Sequence, residues 1–136
     1  MSLHGKNILA VIPARGGSKG ITRKNLKNIS GKTLIQHAYD VTTALPWIDA
    51  TVLSSEDNEI IEHGLSLGIT MPYRRPNELA NDHAKSIDAW QHAWIACEKY
   101  YKKKFDISIL LEPTSPMRTS EDINSCLLYT SDAADE

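Results

Sequence analysis

The sequence is poor in cysteine. Cys97 and Cys126 are the only two in 136 residues, and they form neither a CxxC pair nor a metal-ligand spacing. A disulfide framework is not expected, which fits a reducing cytosol. Long apolar runs are lacking too. The early run Ile8 to Ala14 is too short to span a bilayer and leads straight into Arg15. It also lacks the charged, apolar and cleavage-site layout of a signal peptide. A cytoplasmic protein with no membrane association is therefore expected. Neither sign of charge is in excess: the net charge is −2, so no global basic field points to nucleic acid or to a membrane surface. A local anion site stays open, because clustering matters there and the total does not. His4, His37, His63, His83 and His92 share no ligand spacing and read as surface or helix-face residues. There is no internal repeat, low-complexity segment or clear linker.

What is present suits one domain or part of one. Hydrophobic residues make up 41% and charged residues 24%, enough apolar material for one core. Strand and helix patterns alternate. Ile8 to Ile12 is a nearly all-apolar run ending at Pro13, as a strand buried on both faces reads. A helix is expected from about Thr33 to Ala44, with Leu34, Ala38, Val41 and Leu45 on one face. Thr51 to Ser54 reads as a second strand. Asp57 or Asn58 can cap a second helix that Gly68 ends. Ile69 to Tyr73 reads as a third strand. Ser86 to Lys103 is the longest helix, with Ile87, Trp90, Trp94, Cys97 and Tyr101 as its apolar stripe. The two tryptophans belong to a core or a subunit interface, and the lysines at the helix end suit the negative end of its dipole. Phe105 to Leu111 reads as a fourth strand, and Thr119 can cap a last helix.

This alternation predicts an α/β fold, a mostly parallel sheet with helices on both faces. Ligands in such sheets bind beyond the carboxyl ends of the strands. The two unusual loops, after Ile12 and after Leu111, should therefore share one edge. Residues 1–125 are read as the N-terminal part of the domain. Cys126 to Glu136 starts as helix and turns acidic and featureless, like a translated adaptor tail, with a natural acidic C-terminus as the alternative. A sheet of four strands is thin, so a C-terminally truncated domain is expected.

The most informative segment is Ala14 to Asn25. Gly16, Gly17 and Gly20 let backbone amides approach an anion unobstructed. Arg15, Lys19, Arg23 and Lys24 add positive charge, Arg as a bidentate donor and Lys as a point charge. Neither GxxxxGK[ST] nor GxGxxG can be placed on the segment. A solvated basic turn is the bland alternative. A basic, Gly-rich loop directly after a buried strand favours phosphate binding.

The segment Ile12-Pro13-Ala14-Arg15-Gly16-Gly17-Ser18-Lys19-Gly20, followed by Lys24-Asn25-Leu26, resembles the signature of the acylneuraminate cytidylyltransferases, the CMP-sialic acid synthetases. Three further blocks agree in type and order: Leu53 to Asp57, Arg75 to Asp82 with Ser86, and Leu110 to Thr119. The resemblance implies a Rossmann-like nucleotidyltransferase fold. It also implies transfer of CMP from CTP to the anomeric hydroxyl of a nonulosonic acid, with release of pyrophosphate. Such transfers depend mainly on positioning and charge neutralisation.

Residue by residue, the resemblance implies that Ala14, Arg15, Gly17, Ser18 and Lys19 hold the triphosphate. Arg15 and Lys24 would stabilise charge in the transfer. Asn25 would orient the nucleotide, or merely cap a turn. Arg75 and Ser86 would recognise the cytosine end, Ser86 being equally a natural N-cap for the long helix. Asp82 would brace that loop, and Arg23 reads as surface. Glu112 departs from the family, whose usual residue there is a Gln facing the sugar. Ionised Glu only accepts hydrogen bonds, so Glu112 would suit hydroxyl or amino groups and a legionaminic, pseudaminic or related acid. Mg²⁺ dependence is implied, with carboxylate ligands further along the family's chain. A homodimer is implied as well. The alternatives are a catalytically silent nucleotide-binding module and a related CMP-Kdo-type sugar nucleotidyltransferase.

Overall fold

The computed structural model describes residues 5–16, 28–29, 31–81 and 85–112. At its centre is strand β1, Ile8–Pro13, whose residues Ile8 to Ile12 are wholly buried. It pairs in parallel with β4, Ala50–Ser54, on one side and β5, Ile107–Leu110, on the other, giving the order β4-β1-β5. Side chains alternate across a strand. Ile8 and Ile12 join Ile35, Leu53, Ile60 and Ile69 in one core. Leu9 and Val11 join Val52, Ala93, Cys97 and Phe105 in a second core on the opposite face. Each fully buried Ile or Leu contributes about 1.5–3 kcal/mol. The continuous apolar run in β1 thus follows from helices on both sides, as the α/β reading requires.

Helix α1, Leu34–Thr43, starts where the Thr33 hydroxyl accepts from the Gln36 N–H at 3.2 Å. Just before it lies a short antiparallel pair that the sequence pattern does not signal, β2, Asn28–Ile29, with β3, Lys32–Thr33. Helix α2, Asn58–Ser66, is capped by Asp57, whose Oδ1 accepts from Glu59 and Ile60 N–H at 3.0 and 3.1 Å. Gly68 follows its end at φ +93°, a left-handed conformation that suits glycine.

Four expectations are corrected. Ile69 to Tyr73 is not a strand: it makes one isolated bridge, Val52 with Thr70. Pro72 has no N–H to continue a ladder, and the chain turns there instead. Helix α3 spans Ser86–Tyr101 and is preceded by Lys85 as N-cap, so Ser86 is its first helical residue and not its cap. It ends at Lys102, which takes the left-handed conformation at φ 57°. Ile87 is 50% exposed and lies outside the buried stripe, which runs through Ala89, Ala93 and Cys97. Two residues from Ala89 is about 200° around a helix, which turns Ile87 away. Trp90, Trp94 and Tyr101 pack against the second core as expected. The last strand is shorter than Phe105 to Leu111, although both end residues are buried. The helix expected near Thr119 lies outside the described residues.

The Leu111 N–H donates to the Val11 carbonyl at 2.9 Å, so β1 and β5 leave the sheet side by side. Residues 13–16 and Glu112, where the segments after Ile12 and Leu111 begin, therefore share one edge, the carboxyl edge of the sheet.

Candidate functional site

The site is built where β1 and β4 end. The Ala14 N–H donates to the Ser54 carbonyl at 2.9 Å, carrying the ladder past Pro13. Ala14 is consequently buried. The chain then turns, and the next two residues face the segments after β4. Arg15 is half-buried, with its guanidinium 3.5 Å from the Ala80 carbonyl. The Gly16 N–H donates to both oxygens of the Glu56 carboxylate, each at 3.0 Å. Gly16 is needed sterically: a Cβ here would lie 2.5–2.8 Å from the side chain of Asp57.

Arg75 sits beneath this turn, 5% exposed. Its Nε donates to Ser54 Oγ at 2.9 Å, one terminal nitrogen to the Ser54 carbonyl at 3.1 Å and the other to the Leu79 carbonyl at 3.4 Å. The Arg75 N–H donates to the Ser55 carbonyl at 3.0 Å. The side chain thus pins the 3₁₀ turn Asn77–Leu79 onto the end of β4. Burial lowers the Arg75 pKa and the nearby Arg15 charge lowers it further, while the Glu56 carboxylate opposes both. Arg15, Glu56 and Arg75 therefore form one electrostatic group.

Behind them, Tyr73 and His92 stack edge-on with ring centroids 5.1 Å apart. Among the described residues the buried His92 Nδ1 has no hydrogen-bond partner, while the buried Tyr73 hydroxyl lies beside the Ser54 side chain. Desolvation raises the Tyr73 pKa and lowers that of His92, and Arg75 adds to the second effect.

Of the residues read from the sequence, the structure brings together Ala14, Arg15 and Arg75. Ser86 opens α3. Glu112 is exposed just past β5, on the same edge. Gly17, Ser18, Lys19, Arg23, Lys24, Asn25 and Asp82 lie outside the described residues. Sequence reading missed Ser54, Glu56 and Asp57 as parts of the site. The available signal was their place, immediately after a strand whose carboxyl end must meet the Gly-rich loop. Among the described residues no three His, Cys, Asp or Glu side chains cluster to hold a metal ion. No described helix is long and apolar enough to cross a membrane.

A buried parallel strand ends here in a glycine turn beside two guanidiniums, at the edge where parallel α/β sheets bind ligands. The chain is 42% identical over 111 residues to a pseudaminic acid cytidylyltransferase of Campylobacter jejuni, covering 80% of this chain and 47% of that one. It is 34% identical over 119 residues to a CMP-N,N'-diacetyllegionaminic acid synthase of Legionella pneumophila, covering 85% and 50%. A solved CMP:2-keto-3-deoxy-manno-octonic acid synthetase complexed with CTP superposes with a TM-score of 0.74 at 26% identity, over 93% of this chain and 48% of that one. The chain thus spans about half the length of these relatives. The cytidylyltransferase family model matches residues 9–134, nearly the whole sequence, and the chain belongs to the cytidylyltransferase family.

Proposed function

We propose that this chain is the CTP-binding part of an enzyme that transfers CMP to the anomeric hydroxyl of a nonulosonic acid and releases pyrophosphate. The observation that carries the reading is the meeting of Arg15, the Gly16 amide and Arg75 at the carboxyl ends of β1 and β4. In this reading Arg15 binds triphosphate oxygens, and the loop from Gly17 to Asn25 supplies further donors through Ser18, Lys19 and Lys24. Arg75 acts mainly by holding segment 75–80 beside the base, since its own nitrogens are engaged with Ser54 and Leu79. Ser86 remains a candidate contact of the cytosine end. Glu112 faces the sugar from the end of β5. A pseudaminic or legionaminic type of acid is favoured by the names of the relatives and by a carboxylate where a Gln is usual. Mg²⁺ dependence and a homodimer belong to the same proposal.

Catalysis in this scheme is positioning and charge neutralisation. Arg15 and Lys24 near the phosphates would offset the charge that builds on the leaving pyrophosphate. Isothermal titration with CTP and with ATP, Mg²⁺ present, tests the binding half. CTP should bind with an affinity that ATP does not match, and Arg15→Ala should reduce it about 10-fold or more. A folded chain with no CTP affinity would sink the reading.

A second reading is transfer to a 3-deoxy-octonic acid, supported by the structural likeness to the synthetase solved with CTP. Assay of the full-length protein with both sugar acids separates them: the preferred acceptor is the one with the higher kcat/KM.

A further inference from the structure

Two backbone donors at the start of the phosphate loop, the Ala14 and Gly16 amides, have partners within the chain. The Ala14 N–H is engaged with Ser54 in the ladder. The Gly16 N–H is the next amide whose partner is seen, and that partner is an anion of the chain itself. Both Glu56 oxygens lie 3.0 Å from it, beside the Arg75 cation and close to Arg15. An oxyanion on a backbone amide, flanked by guanidiniums at the carboxyl edge of a parallel sheet, is also what a bound phosphate oxygen would be. One N–H cannot serve both at full strength.

We propose that the Glu56 carboxylate is an internal stand-in for a nucleotide phosphate oxygen, holding the Gly16 amide in the empty protein and leaving it when triphosphate binds. This rests on the reading of the loop as a triphosphate site. Two features make the carboxylate displaceable. The Glu56 side chain is only half-buried, whereas its carbonyl is held by Arg74. Movement can therefore be confined to the side chain. Arg74 is exposed and anchored to Asn58 Oδ1 at 2.7 Å, so it offers the departing carboxylate a cation on the solvent side. The stand-in keeps the turn in its binding shape without ligand, and its release weakens triphosphate affinity. A ligand without phosphates has no reason to displace it. Glu56 is thus a positioning residue that tunes affinity for the phosphate end of the nucleotide alone.

The test titrates the wild-type chain, Glu56→Gln and Glu56→Ala with CTP plus Mg²⁺ and, separately, with cytidine. Hydrogen exchange at the Gly16 amide is followed in parallel. Both variants should bind CTP about fivefold or more tightly than wild type, with cytidine affinity unchanged. The Gly16 amide should exchange faster in ligand-free Glu56→Ala than in wild type, and saturating CTP should erase the difference. If Glu56→Ala loses its cooperative melt, Glu56→Gln carries the test, because it keeps an acceptor for Gly16 without the charge. Equal or weaker CTP binding by the variants overturns the proposal, as does an exchange difference that persists with CTP bound. Failure of the underlying reading looks different: the wild type itself then binds no CTP. Wild-type binding that Arg15→Ala removes, with no gain in the Glu56 variants, overturns the stand-in alone.

Discussion

Arg75 is the residue on which the site's geometry most depends. Arg75→Met removes the donor to Ser54 Oγ and to the Leu79 carbonyl, and leaves the Ser54 carbonyl with the Ala14 N–H alone. The expected loss is about 2–4 kcal/mol, read as a lower urea midpoint at unchanged m. Arg75→Lys should rescue little of it, since one ammonium cannot reproduce a three-way planar fork. At Gly16 the added methyl of Gly16→Ala would overlap Asp57 Cβ and Oδ2, so either the turn or the start of α2 must shift. A cost of about 1–3 kcal/mol is expected, with CTP affinity falling further than stability. Arg15 and Arg75 were legible in the sequence because their motifs are long and ordered. Glu56 was not, because an acid two residues after a strand looks like any solvated turn until the strand beside it is known.

At the scale of elements, both ends of α2 were readable, while the cap of α3 and the sheet edges were not. Asp57 carries both the α2 cap and the wall against Gly16, so Asp57→Ala should cost about 1 kcal/mol, seen as a lower Tm. The all-apolar run of β1 announced a strand buried on both faces, and Thr33, Asp57 and Gly68 marked helix ends by chemistry that works locally. Ile69 to Tyr73 had strand composition, yet pairing is a matter of neighbours, and Pro72 removes the donor that would have extended the single bridge at Thr70. Ile87 misled because its spacing to Trp90 and Trp94 is helical, while the packed face is set by the small residues Ala89 and Ala93 that let α3 approach the sheet. The β2–β3 pair is too short to leave a periodic signal.

Across the whole molecule, α3 closes one core with buried groups that answer to pH and to reagents. Burial, reinforced by the Arg75 charge and opposed by Glu78, lowers the His92 pKa below its ordinary 6.5. The unfolded chain then binds more protons as the pH falls, so this contribution to stability is complete above pH 6.5 and is lost below it. His92→Gln should flatten the fall of Tm on the acid side. Burial also pushes the Cys97 thiol up to about 12, so alkylation there should track global unfolding when followed by peptide mass spectrometry. The contact between Gly16 and Asp57 has a consequence of another kind. The turn after β1 and the first turn of α2 touch without slack, so the two are mechanically one piece. A ligand that draws the Gly16 turn outward must relax the crowding on Asp57, and the amides of Glu59 and Ile60 would register an event at the mouth of the neighbouring strand. On the proposed reading of the loop, a fluorophore near the start of α2 should change its signal when triphosphate binds, without touching the nucleotide.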